Sequence, residues 1–183
     1  MGTSAEVEDF KRQFASIVAD VRALVEPLSE DALNRQPEPG RWSAAQCLEH
    51  LNITARAMLP GLKHAADVVR SKGLPGSGHT KHGVLMGWLI RGMEPPPKRR
   101  YQTGRGFVPP SGLSKTQVLN DFIALHAELD KVLEQVNGLD LNTAKMQSPF
   151  FKWLRYKVGS AFALHAAHDR RHLWQAKEAV KAA

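Results

Sequence analysis

Four of the eight histidines, His50, His165, His168 and His172, stand where imidazole chemistry is possible. Three of them lie in HAAHDRRHLWQ, at spacings of three and four residues that place them on one side of an α-helix. His50 lies far upstream in RWSAAQCLEHL. A neutral imidazole gives one lone pair to a metal at about 2.0–2.1 Å, and three protein ligands leave a position open for water or substrate. A facing helix that adds one more imidazole to the C-terminal cluster closes such a site inside a helical bundle.

At about 100° per residue, His168 and His172 are about 40° apart around their helix and His165 is about 60° from His168. Ala161, Leu164 and Ala176 share this flank, whereas Arg170, Arg171 and Trp174 project elsewhere. His50 shares its own flank with Ser43, Gln46, Cys47, Thr54 and Ala57, a strip too polar for ordinary core packing and suited to a pocket wall. One HxxxH pair arises easily in a long helix, and an isolated inward histidine is ordinarily a hydrogen-bonded core residue. The spacing alone therefore leaves both a metal site and a polar core open.

These side chains must be positioned by helices. Val7, Phe10, Phe14, Ile17, Val21, Leu24 and Leu28 recur at steps of three and four, which predicts a first helix ending near Pro27. Ser29 to Gln36 reads as a turn or single helical turn, and Pro37, Pro39 and Gly40 then make a loop. Ser43 and Gln46 have capping-box spacing, so a second long helix starts there and runs to about Arg70, with a bend expected at Pro60. Residues 71–114 form a long crossover or lid rich in Gly, Pro and basic residues. Within it Val84, Leu85, Trp88, Leu89 and Met93 suit a short amphipathic helix packed over one end of the bundle, with a homodimer contact or substrate lid as alternatives. Ser114 and Gln117 repeat the capping spacing before a third long helix on Val118, Phe122, Leu125, Leu129, Val132 and Val136, stopped by Gly138. After a second connection over 137–153, the fourth helix runs from about Tyr156 and carries the histidines. Strand-like alternation is weak, so the expected class is all-α: a four-helix bundle of up-down type, with a long crossover between the second and third helices and one domain over 1–183.

Composition narrows the function classes. Apolar residues make up 43% and charged residues 23%, which fits a folded core and not a disordered chain. The longest apolar stretch, 83–93, contains Arg91 and is too short to span a bilayer, and the N-terminus has no apolar signal region. No membrane association is expected, and a cytoplasmic location is. Cys47 is the only cysteine, which excludes an intrachain disulfide and a cysteine-based zinc finger. The formal charge of +7 favours anionic partners. Lys81, Arg91, Lys98, Arg99, Arg100 and Arg105 face only Glu94 in their stretch, with Tyr101 and Phe107 nearby. This mixture could touch nucleic acid, but no helix-turn-helix or RNA-binding signature accompanies it, and a solvated loop is the simpler reading.

The segment RWSAAQCLEHL, with Trp42, Gln46, Leu48, His50 and Leu51, followed by HDRRHLWQ, resembles the DinB-like superfamily, which includes YfiT-like proteins described as metal-dependent hydrolases. The resemblance extends from the first helix to about Gln175, although its specific motifs occupy only these two segments. It implies a four-helix bundle whose metal is held by His50, His168 and His172. Around that triad His165, Asp169 and Gln175 are candidates for a catalytic or supporting role, with Asp169 placed to orient an imidazole and His165 to carry a proton or add a ligand. Cys47 is expected to be a buried apolar residue, and His64, His79, His82 and His126 are expected at the surface. Three imidazoles accept a divalent metal, zinc, nickel, iron or manganese, and the resemblance implies a hydrolase or a transferase that uses a low-molecular-weight thiol. A small, anionic substrate would suit the basic segment. The alternative is a non-enzymatic small-ligand or protein interaction module with a structural or vestigial metal site.

Overall fold

The computed structural model describes residues 4–76, 78–97 and 102–183, so Lys98, Arg99, Arg100 and Tyr101 of the basic segment lie outside the described residues. Four long helices form the body: α1 (Ala5–Val25), α3 (Ala44–Lys72), α5 (Lys115–Gln135) and α6 (Val158–Ala182). Between them lie α2 (Glu30–Asn34), α4 (Val84–Met93) and a hairpin of β1 (Lys145–Gln147) and β2 (Arg155–Lys157). The α1 stripe is buried as its periodicity requires, from Val7 through Phe10, Phe14, Ile17 and Val21 to Val25. It meets Leu48, Leu51, Leu62, Phe122, Leu129 and Phe162 in a single core.

Pairwise contacts fix the helix directions. Phe10 meets Phe162 and Asp20 meets Lys177, so α1 and α6 run parallel. Arg56 reaches Asp121 and Lys63 reaches Glu128, so α3 and α5 are parallel too. Phe14 packs on His126 while Lys11 pairs with Glu134, which makes α1 antiparallel to α5. The long helices therefore run up, down, down, up in chain order, and α3 is antiparallel to α6. The connection over 73–114 is the expected crossover: it carries the chain back along the bundle so that α5 can start at the same end as α3. The main packings are α3 with α5 and α6, and α1 with α5 and α6. The histidine-bearing α3 and α6 are thus neighbours.

Local signals place the helix starts well. Ser43 Oγ accepts from Gln46 N at 3.2 Å and Gln46 Oε1 accepts from Ser43 N at 3.1 Å, a complete capping box. Pro60 lies inside α3 without ending it. Both Pro60 and Arg56, four residues earlier, are exposed, so the carbonyl left without an intrahelical donor can turn to water.

Three expectations are corrected. The connection before α6 contains the β1–β2 hairpin, and Tyr156 belongs to β2 instead of opening the helix. Met146 and Tyr156 are register partners, both buried, and each strand has a single buried residue flanked by more exposed ones. Three residues give no period to read. The amphipathic α4 packs along α6, yet only Met86 is buried, while Val84, Leu85 and Trp88 are at least half exposed. Polar contacts secure its C-terminal end: Arg170 Nε donates to Glu94 Oε2 at 2.9 Å and Arg171 Nη1 to the Gly92 carbonyl at 3.2 Å. Arg171, expected to project away, is accordingly buried.

The crossover is also keyed into α6. Thr80 N donates to Glu6 Oε1 at 2.6 Å, and the Thr80 side chain lies against Gly159 so closely that a Cβ added there would sit 2.7 Å from Thr80 Cβ. Gly159→Ala is therefore expected to lower stability by about 1–3 kcal/mol through overpacking, with Thr80→Gly restoring part of the loss. Urea denaturation of the single and double variants checks this, and a single variant as stable as the wild type contradicts it.

Candidate metal centre

The N-terminal half of α3 and the middle of α6 bring His50, His168 and His172 together, each offering one ligand atom, with all three atoms within 4.8 Å of one another. Ring centroids are 5.2 Å apart for His50 and His168, 4.5 Å for His50 and His172, and 4.6 Å for His168 and His172. Antiparallel packing of the two helices makes this possible, because His50, nearly two turns into α3, lies opposite the middle of α6. His50 and His172 are buried and His168 is half-buried. Trp42 closes one side, with its ring 5.0 Å from His50 and 6.0 Å from His172.

The His50 tautomer is set by the crossover. Its Nδ1 donates to the Phe107 carbonyl oxygen at 2.8 Å, which leaves the Nε2 lone pair free. Phe107 sits in a short 3-10 turn, Arg105–Phe107, and its ring packs on Phe150 from the hairpin. Electrostatics keep the whole group uncharged. Burial lowers the His50 pKa; burial and the neighbouring His172 and His50 hold His168 well below the ordinary range. For His172 burial and the proximity of His50 and Arg171 bring the value to about 3. Gln175, half-buried one turn on, pulls weakly the other way through a hydrogen bond to the His172 ring. Neutral imidazoles are the form that donates lone pairs to a cation.

The other sequence candidates divide. His165 and Asp169 turn into the core and meet His126 from α5, forming a second group whose ligand atoms also lie within 4.8 Å of one another. His126, expected at the surface, is 4% exposed. The signal for it was present, since His126 continues the apolar stripe from Phe122 to Leu129. His82, also expected at the surface, is half-buried with Nδ1 3.0 Å from Ser160 Oγ, whereas His64 and His79 are exposed. Cys47 is fully buried, and burial pushes its thiol up to about 12, so it packs as an apolar side chain. Gln46 is occupied by the helix cap and by Gln36. The Phe107 carbonyl had no signature in the sequence, because a loop acceptor is supplied by backbone of any residue type.

Four long helices around a cluster of neutral imidazoles define a helical-bundle protein with a candidate metal centre. The DinB superfamily model matches residues 13–176, and the chain belongs to that superfamily. This is the family its two histidine segments resemble. Among solved structures the chain is similar to YfiT from Bacillus subtilis, described as a probable metal-dependent hydrolase with an unusual four-helix bundle topology. The TM-score is 0.60 at 13% identity, covering 99% of this chain and 90% of that one, a likeness of fold. No curated protein matches the chain. None of the described helices is long and apolar enough to cross a membrane.

Proposed function

We propose that the chain is a metal-dependent enzyme in which His50, His168 and His172 hold a divalent cation, acting as a hydrolase or as a transferase that uses a low-molecular-weight thiol. The observation that carries this reading is the convergence of three neutral imidazoles from two antiparallel helices, one with its tautomer set by a backbone carbonyl. Zinc, nickel, iron and manganese all accept imidazole donors, and availability in the cell selects among them. When bound with a position open, such an ion lowers the pKa of a coordinated water or thiol and so supplies a nucleophile near neutral pH.

The chain's own residues would orient and shield. The Phe107 carbonyl holds the His50 ring in place, Trp42 limits solvent on one side, and Gln175 beside His172 is the candidate for a hydrogen bond to substrate. Arg41, next to Trp42, and Arg105, in the turn that carries Phe107, are both exposed at this end of the bundle. They suit a small anionic substrate or thiol.

Chelation and re-addition of metal test the reading. A panel of small anionic esters, amides and electrophiles, assayed with and without low-molecular-weight thiols, should show turnover that vanishes on chelation and returns with the ion. Turnover without thiol marks the hydrolase, and strict thiol dependence marks the transferase. Turnover or ligand binding indifferent to chelation overturns the proposal and favours an interaction module.

A further inference from the structure

The second cluster lies between α5 and α6, inside the bundle. His126 Nε2 is 3.1 Å from Asp169 Oδ2, and His165 Nε2 is 3.6 Å from the same oxygen. His126, His165 and Asp169 are 4%, 1% and 0% exposed, so water does not compensate for unmatched polar atoms. Their surroundings are aromatic: Phe122 stacks on His126, and Phe14 meets both imidazoles edge-on.

Proton bookkeeping shows what the cluster lacks. His126 Nδ1 is 2.9 Å from the Phe122 carbonyl oxygen, which can only accept, so Nδ1 carries the hydrogen. In the neutral ring Nε2 then holds a lone pair, and it faces a carboxylate oxygen that is also an acceptor. Two acceptors 3.1 Å apart repel unless a cation lies between them. A shared proton satisfies that pair and nothing more. Both ring nitrogens of His165 and Oδ1 of Asp169 are buried without a hydrogen-bond partner among the described residues. A divalent ion accounts for more of the group, because it draws on one lone pair from each imidazole and on the carboxylate together and leaves only the second ring nitrogen of His165 without a partner. The observed separations of 3.1 and 3.6 Å bracket the about 3.3 Å expected between donors of a tetrahedral ion with bonds of about 2.0 Å.

We propose that His126, His165 and Asp169 bind a second divalent cation of the zinc type, distinct from the one assigned to His50, His168 and His172. Two imidazoles and a carboxylate are a donor set that borderline cations favour. With no face open to solvent, this ion is structural. It ties α5 to α6, and its ligands His165 and Asp169 flank His168 on the same helix, so it fixes the rotation of α6 that aims His168 and His172 at His50.

Counting metal equivalents tests this. Untagged protein, stripped of metal, is titrated with Zn²⁺ by calorimetry and analysed for bound metal after dialysis. The wild type should take up two equivalents per chain. His126→Phe and Asp169→Asn should each take up one, as should His168→Ala, which loses the other site. Anomalous scattering at the zinc edge should place the second ion between α5 and α6. A wild type that saturates at a single equivalent, lost in His168→Ala, overturns the proposal without recourse to a core variant. A second equivalent that persists in both His126→Phe and Asp169→Asn also overturns it. A single equivalent that survives His168→Ala and disappears in Asp169→Asn supports this site while refuting the three-histidine one, so the two failures are separable.

Discussion

The double variant His168→Ala, His172→Ala is expected to lose one metal equivalent per chain and all metal-dependent turnover while remaining folded. Structural zinc sites release about 10–16 kcal/mol over four ligands, or about 2.5–4 kcal/mol per ligand, so removing two donors weakens binding by about 5–8 kcal/mol. That corresponds to about five decades in Kd. The folded state should survive because the two rings face one another, Trp42 and His50 near the edge of the bundle, while the apolar core of Leu48, Leu51, Phe122, Leu129 and Phe162 stays intact. Trp42 gives a direct optical check. Its ring lies 5.0 Å from His50, so nickel entering the wild-type site should quench its fluorescence, and Trp42→Phe should remove that response. Equal metal content in the double variant and the wild type would sink the triad assignment. A variant that loses metal together with its cooperative melting would show the site to be structural.

Much of this geometry was legible in the sequence because helical spacing fixes faces. Steps of three and four residues committed His168 and His172 to one flank of α6, the Ser43–Gln46 cap located the start of α3, and spacing put His50 on the same polar flank as Gln46 and Thr54. The partner helix was harder to read. Whether α3 lies beside or across from α6 depends on connection geometry, and the crossover that makes α3 and α5 parallel shows in composition only as a long stretch rich in Gly and Pro. His126 was misplaced for a different reason. A polar residue on an apolar stripe looks like an exception until its partner is known, and Asp169 lies 43 residues away on another helix. The hairpin escaped because Met146 and Tyr156 bury one side chain per three-residue strand, below the length at which alternation can be recognised. The tautomer of His50 depends on the Phe107 carbonyl, which side-chain chemistry does not encode.

In its metal-free form the protein is expected to be acid-labile at a pH where ordinary carboxylates are still ionised. Burial lowers the pKa of His50, His165, His168 and His172 below the ordinary 6.5, to about 3 for His172. The unfolded chain therefore binds protons that the folded chain refuses. Their contribution to stability is present in full above pH 6.5 and is lost as the pH falls from there toward the folded values, for His172 toward about 3. By pH 5 a histidine that stays neutral in the fold has lost about 2 kcal/mol relative to neutral pH. The lowered pKa values of His50, His165 and His168 act in the same direction, so a fall in the stability of the metal-free protein between pH 7 and pH 5 is the expected outcome by urea denaturation followed by circular dichroism. His172→Gln keeps a polar side chain but cannot titrate, and should flatten the fall between pH 6.5 and 5 by about 1.4 kcal/mol per unit. Metal loading opposes the same transition, since bound cation and proton compete for the same lone pairs. A metal-free protein whose stability is level from pH 7 to pH 5, or a His172→Gln variant with an unchanged slope, would show that these imidazoles are not held neutral by the fold.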